Sequence, residues 1–92
     1  MQAHEISAIL SEFIIEQFLD GDGADLHEDT PLLEWGVIDS IAMFTLLRFI
    51  KERFAIEIPD TAVSPRNFHS IEVLQRLVSK LQEEQGGGAG DA

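Results

Sequence analysis

Apolar residues recur at three- and four-residue steps in three separate segments of the chain, and this spacing constrains the fold more than any other feature. Side chains spaced in this way share one face of an α-helix, so the pattern predicts helices over about 3–18, 40–53 and 70–83. Such helices become stable when their apolar faces are buried against one another. The apolar faces of the outer two helices consist of Ile6, Ile9, Leu10, Phe13, Ile14 and Phe18, and of Ile71, Leu74, Leu77, Val78 and Leu81.

The segment that follows the second helix predicts one further short helix and no sheet. Phe54, Ile56 and Ile58 alternate up to Pro59, but this run is too short for a sheet in a chain with no second strand. We expect an extended connection that turns its side chains inward, followed by one short helical piece within residues 60–68. The sequence therefore predicts an all-α fold, a small four-helix bundle with three main helices, one short helix and a long first loop.

The first loop, residues 19–39, is long for a small domain, and loops of this length are usually functional. Its Thr30-Pro31 pair could cap one short helical turn. At its end, Asp39 or Ser40 is expected to supply the N-cap oxygen of the second helix, because short polar side chains accept hydrogen bonds from the first-turn N–H groups.

Composition and length exclude several classes of protein. The 92 residues suit one small domain, which we assign to residues 1–83, with a flexible glycine-rich tail over 84–92. The absence of cysteine excludes disulfide scaffolds and thiolate sites. We find no run of ~20 apolar residues and no secretory signal, which favours a cytoplasmic location, and we expect a monomer.

The charge is strongly acidic and unevenly distributed. The formal net charge of −11 argues against nucleic-acid and membrane-surface partners. Residues 40–54 nevertheless contain Arg48, Lys51 and Arg53 against Glu52 alone. The first loop carries the opposite charge, so any steering of basic partners is expected from the loop side. Its seven acidic residues, with no Lys or Arg among them, are Asp20, Asp22, Asp25, Glu28, Asp29, Glu34 and Asp39.

Asp39-Ser40 has three interpretations: a helix cap, a serine nucleophile or an attachment point. A nucleophile elbow would need glycines two residues either side of Ser40, where Ile38 and Ala42 stand. The only candidate bases are histidines, and a histidine on a loop of an acidic protein is usually a solvated side chain. Hydrolysis is therefore disfavoured. These histidines are His4, His27 and His69.

The acidic loop also fails a test for a calcium site. In an EF-hand register that starts at Asp20, the position of the required glycine holds Asp25 and that of the bidentate glutamate holds Pro31. We therefore predict no metal site.

Residues 29–60 resemble the acyl carrier and peptidyl carrier protein family. The matching elements are Gly36 in the loop, the triplet Asp39-Ser40-Ile41, and a helix followed by Phe54, Ile56, Ile58 and Pro59. The later stretch NFHSIEVLQRLV resembles the final part of free-standing carriers that handle amino acids and unusual acyl units. Together the similarity covers most of residues 5–82.

This resemblance implies that Ser40 is the attachment site of a 4′-phosphopantetheine arm, transferred from coenzyme A by a phosphopantetheinyl transferase. Asp39 would cap the helix and be recognised by the transferase. The implied protein is a non-catalytic carrier that holds an acyl group as a thioester. An acid-activating (adenylating) ligase would load the arm, and an acyltransferase, condensation or tailoring enzyme would unload it.

The sequence constrains the identity of the cargo less than it constrains the attachment site. Two residues separate Gly36 from Asp39, as in D-alanyl and other aminoacyl carriers, whereas most fatty-acid carriers have one. This favours a free-standing carrier of an aminoacyl or other small acyl group. The alternatives are a fatty-acid or polyketide carrier and a carrier-like adaptor that never receives the arm.

Docking of partner enzymes near Ser40 would rest on apolar or small exposed side chains. Ile41 is the best candidate, and Thr45 and Trp35 are further candidates; core packing is the alternative for each. We expect four other apolar residues of this region to lie in the core. They are Phe44, Leu47, Ile50 and Phe54.

Overall fold

The computed structural model describes residues 1–86, and within them the chain is all-helical with no strand. The main helices are α1 (Ala3–Phe18), α2 (Ser40–Phe54) and α3 (Ile71–Leu81). A 3₁₀ turn (Asp60–Ala62) lies before α3 and is the predicted short helical piece. The prediction of three main helices and one short helix is confirmed. None of these helices combines the length and apolar character needed to cross a bilayer.

Polar side chains fix where the second and third helices begin. The Asp39 carboxylate accepts a hydrogen bond from the Ala42 N–H group at 2.7 Å, so Asp39 is the N-cap and Ser40 is the first helical residue. The Ser70 hydroxyl accepts from the Val73 N–H group at 3.3 Å and caps α3 in the same way. Both starts agree with the sequence prediction.

The core lies between the three main helices and includes side chains from the connections. Ile56 and Ile58 are buried, which confirms that the connection after α2 turns its apolar side chains inward. Phe68, from the connection before α3, is fully buried. The other buried apolar side chains are Ile6, Leu10, Ile14, Leu32, Ile38, Leu46, Ile50, Phe54, Ile71, Leu74, Val78 and Leu81.

One prediction about the core is wrong. Phe44 is 65% exposed on α2, although its apolar character suggested the interior. The buried face of α2 is formed by Leu46, Ile50 and Phe54 at four-residue steps. Phe44 lies two residues before Leu46. Because each residue turns the helix by about 100°, the Phe44 side chain points about 200° around the helix axis from that of Leu46. Leu47, at the edge of the face, is only partly buried.

Helices α1 and α2 meet through an aromatic contact. The rings of Phe13 and Phe49 stack with centroids 3.8 Å apart and an angle of 12° between their planes. Phe18 meets Phe13 edge-on, with centroids 6.0 Å apart. Stacked and edge-on aromatic pairs add stability beyond the area that they bury.

Hydrogen bonds hold the long first loop against the bundle. Leu32 is fully buried, and its N–H group donates to the His69 carbonyl oxygen at 2.8 Å. The Thr30 hydroxyl accepts from the His27 N–H group at 2.8 Å, so it closes the turn before Pro31 and does not cap a helix after it. Residues 32–36 form turns and not the short helix that the Thr30-Pro31 pair could have capped.

A further helical turn follows α3 at the end of the described chain. The last helix was expected to reach about residue 83, but α3 ends at Leu81 and continues as a π-helical turn (Gln82–Gly86). The side-chain amide of Gln85 accepts from the Glu57 N–H group at 2.8 Å and donates to the Glu57 carbonyl at 2.7 Å. Residues 87–92 of the predicted tail lie outside the described residues, and the division of the chain at residue 83 stays a prediction.

Candidate functional site

Ser40 is exposed at the point where the first loop becomes α2. Ile38, two residues earlier, is buried, and its N–H group donates to the Leu32 carbonyl at 3.2 Å. Leu46 anchors the following helix in the core. The serine therefore stands on a backbone that is held from both sides while its hydroxyl remains accessible.

The loop reaches this position through a glycine turn. Gly36 has φ +73°, in the left-handed region that favours glycine, and its N–H group donates to the Leu33 carbonyl at 3.2 Å. A Cβ at Gly36 would meet no atom within 4 Å, so backbone conformation and not crowding favours glycine here. The turn directs the chain into the start of α2.

The start of α2 suits an attached anionic group. The first N–H groups of a helix have no intrahelical acceptors, and the helix dipole gives this end positive character. Asp39 uses Oδ1 to accept from Ala42, and among residues 1–86 its Oδ2 makes no hydrogen bond. The capping carboxylate is exposed beside Ser40, where an approaching enzyme can contact it.

A catalytic role for Ser40 would need a base beside it. His4, His27 and His69 are all exposed, and among residues 1–86 none of them hydrogen-bonds to the Ser40 hydroxyl. The same part of the chain contains no group of three or more His, Asp or Glu side chains arranged to hold a metal ion.

Several residues within five positions of Ser40 in the chain are exposed at the surface. Ile41 is 78% exposed, Trp35 is 64% exposed and Thr45 is also exposed, so the three predicted docking residues are all accessible. Phe44 is also exposed, although its apolar character predicts a position in the core. No local signal separates Phe44 from the core residues of α2, because apolar residues occupy most sides of this helix and only the structure shows which of them are buried.

These features fit a phosphopantetheine group. Its attachment needs an accessible hydroxyl that a transferase can reach without unfolding the chain, and Ser40 meets that condition. Its phosphodiester would lie next to the N–H groups at the start of α2, where negative charge is favoured by roughly 0.3–1 kcal/mol. The chain has no cysteine, so the arm would supply a thiol that the protein lacks.

Comparison with known proteins agrees with this geometry. Residues 13–81 match the family described as "Phosphopantetheine attachment site". The chain is 37% identical to the probable acyl carrier protein PigG of Serratia sp. over 82 residues, which is 87% of this chain and 94% of PigG. It is 27% identical over 67 residues to aminoacyl carrier protein 2 of Bradyrhizobium diazoefficiens, covering 73% of this chain and 71% of that protein.

A solved structure shares the fold. A chain in a crystal structure described as an FAD-dependent dehydrogenase superimposes with a TM-score of 0.69 and 36% sequence identity, covering 76% of this chain and 99% of that one. The family match spans all three main helices except the first part of α1 and includes Ser40. The chain therefore belongs to the acyl and peptidyl carrier protein family, whose cofactor is 4′-phosphopantetheine.

Proposed function

We propose that this protein is a free-standing carrier that holds an aminoacyl or other small acyl group as a thioester on a phosphopantetheine arm at Ser40. The observation that carries the proposal is the exposed Ser40 hydroxyl at a firmly anchored helix start, capped by Asp39, within the family match. When bound, the arm supplies the thiol on which the cargo is carried. The chain itself acts as a non-catalytic, monomeric and cytoplasmic subunit.

Each residue near the attachment point has a defined task in this proposal. Ser40 Oγ would bond to the phosphorus of the pantetheine phosphate as the pyrophosphate bond of coenzyme A breaks, releasing adenosine 3′,5′-bisphosphate, and the serine proton would pass to a base of the transferase. The start of α2 would stabilise the charge of the attached phosphodiester. Asp39 holds the helix start and presents its carboxylate to the transferase. Ile38 keeps the attachment point fixed relative to the bundle because its side chain is buried.

Three observations favour a small cargo. The aminoacyl carrier protein among the relatives supports an aminoacyl group, as does the two-residue spacing between Gly36 and Asp39. In addition, fifteen apolar side chains fill the core of the described residues. Because protein cores are close-packed, a long acyl chain could enter only if the helices moved apart, whereas a small group needs no such movement.

The partner enzymes follow from the carrier role. Carriers of this family work with a phosphopantetheinyl transferase and with biosynthetic enzymes. We propose an acid-activating ligase for loading and an acyltransferase, condensation or tailoring enzyme for unloading. The similar solved chain is shorter than this one and is found in a structure described as an FAD-dependent dehydrogenase. That similarity supports a flavin dehydrogenase as the tailoring partner, which would transfer two hydrogens from the thioester-bound cargo to FAD.

Intact mass spectrometry tests the attachment directly. The protein is incubated with coenzyme A and a broad-specificity phosphopantetheinyl transferase. We expect a gain of one phosphopantetheinyl group in the wild type, no gain in Ser40→Ala, and a normal gain in Ser11→Ala, a control on α1. An unmodified wild type would favour the adaptor without an arm, and modification of Ser40→Ala would place the arm elsewhere.

The cargo needs a separate measurement. Intact mass of the protein isolated from its native host reports what the arm carries. An amino acid or short acid attached through the thiol supports the proposal, whereas a long fatty or polyketide chain would support the alternative carrier class.

A further inference from the structure

The exposed surface of the second half of α2 has a charge opposite to that of the protein as a whole. Between residues 40 and 56 the only acidic residue is Glu52, while Arg48, Lys51 and Arg53 are basic. All four side chains are exposed. With a net charge of −11, a protein of this kind would be expected to dock through acidic side chains, but those side chains are concentrated in the first loop.

Two of these basic side chains, Arg48 and Lys51, border an exposed apolar cleft. Phe44 and Leu47 line a shallow cleft of about 200 Å³ together with Arg48, Lys51 and Glu52. Phe44 is 65% exposed, and Ile41, one turn closer to Ser40, is 78% exposed. Isolated exposed apolar residues are common, but two large ones on adjacent turns beside an attachment point form a patch of the kind that binds proteins.

The charges in this patch are available to a partner. Arg48 Nε lies 3.4 Å from Glu52 Oε2, and the two side chains are 81% and 70% exposed. This ion pair therefore contributes little to stability, and Arg48 can pair with an acidic group of a partner instead. Within residues 1–86, Lys51 forms no ion pair within 4 Å. An acidic group brought by a partner would therefore meet two cations, one of them without an internal partner.

We infer that α2 docks on an enzyme surface with an apolar pocket that receives Phe44 and Ile41. Acidic side chains around this pocket would pair with Arg48 and Lys51. This inference rests on the proposed carrier function and specifies the chemistry of the loading partner. Complementary charge guides how the two proteins meet and orient. Phe44, once buried in the pocket of the partner, supplies most of the binding energy.

The test measures how charge reversal on α2 affects loading. Holo-protein carrying Arg48→Glu and Lys51→Glu is compared with wild type for kcat/KM with the ligase that loads it, at low and moderate salt. We expect a fall of about tenfold or more at low salt, since steering by complementary charge changes association by 10–10³-fold. A matched control carries Arg66→Glu and Lys80→Glu, which gives the same net charge at exposed positions outside α2. It should load nearly as fast as wild type.

Substitutions of Phe44 test whether its side chain enters an apolar pocket of the partner. Phe44→Ser should lower kcat/KM by about tenfold or more, and Phe44→Leu should restore most of it, as expected for an anchor in an apolar pocket. Because Phe44 is exposed, both variants should fold, and circular dichroism checks this.

Equal losses in the two charge-reversal variants would show that only net charge matters, and faster loading of the α2 variant would show a basic partner. Either result would overturn the inference. The affinity of the ligase for the same variants, each also carrying Ser40→Ala, is measured by calorimetry. Because these proteins cannot carry the arm at Ser40, this affinity reports docking alone. Intact mass reports separately whether Ser40 is modified, so a failure of the carrier proposal cannot be confused with a failure of this one.

Discussion

At the residue scale, Asp39 combines two roles that substitutions can separate. Asp39→Ala removes the hydrogen bond to the Ala42 N–H group and should lower the free energy of unfolding by about 1 kcal/mol, whereas Asp39→Asn keeps an N-cap oxygen and should cost little. If the transferase recognises the carboxylate, both variants should be modified more slowly. Urea unfolding and the rate of phosphopantetheinylation measure the two effects. Normal modification of Asp39→Asn would show that Asp39 acts only as a cap.

Ala55 gives a second prediction at this scale. It ends α2 with φ +53° and ψ +46°, a left-handed conformation that costs an alanine roughly 1–2 kcal/mol and a glycine much less. Ala55→Gly should therefore raise the free energy of unfolding, by about 1 kcal/mol at most, because glycine also gains freedom in the unfolded chain. Gly36→Ala, at φ +73°, should have the opposite sign. Destabilisation by Ala55→Gly in urea unfolding would contradict this view of the helix end.

At the element scale, Gln85 joins the π-helical turn after α3 to the connection after α2. Its side chain forms two hydrogen bonds with the Glu57 backbone, at 2.8 and 2.7 Å, in a manner similar to a strand partner. Gln85→Ala should lower the free energy of unfolding by about 1 kcal/mol and increase hydrogen exchange at the Glu57 amide. Glu84→Ala, next to it and exposed, serves as the control. Unchanged exchange at Glu57 would show that the contact does not persist in solution.

At the scale of the whole molecule, the seven acids of the first loop repel one another. The Cα radius of gyration is 12.9 Å, whereas the Debye length falls from about 30 Å at 0.01 M to about 8 Å at 0.15 M salt. At low salt the charges therefore interact across the molecule, and at moderate salt they are largely screened. We expect Tm to rise with salt or with divalent cations, measured by thermal unfolding.

A variant checks that the loop is the source of this effect. Asp22→Asn with Asp25→Asn should raise Tm at low salt and reduce its salt dependence, since both residues are exposed in the loop. An unchanged Tm between low and moderate ionic strength in the wild type would show that the loop charges are already well separated.

The sequence alone determined where the three main helices begin, and the family resemblance pointed to Ser40 as the attachment site of the arm. Apolar spacing, a polar cap at Asp39 or Ser40 and the alternation of Ile56 and Ile58 are local properties, because each depends on residues a few positions apart. For that reason the predicted helix starts agree with those of α1, α2 and α3. The Asp39-Ser40 pair could likewise be recognised from its order and spacing.

Only the tertiary structure decided which side of each helix the bundle buries. Phe44 and Ile50 are both large apolar residues of α2, and hydrophobicity does not distinguish them. One is exposed and the other fully buried because α1, α3 and the inward-facing connections cover one face of α2 and leave the face beside Ser40 open. The link between Gln85 and Glu57 was equally invisible in the sequence, since it joins residues 28 positions apart that only the folded chain brings together.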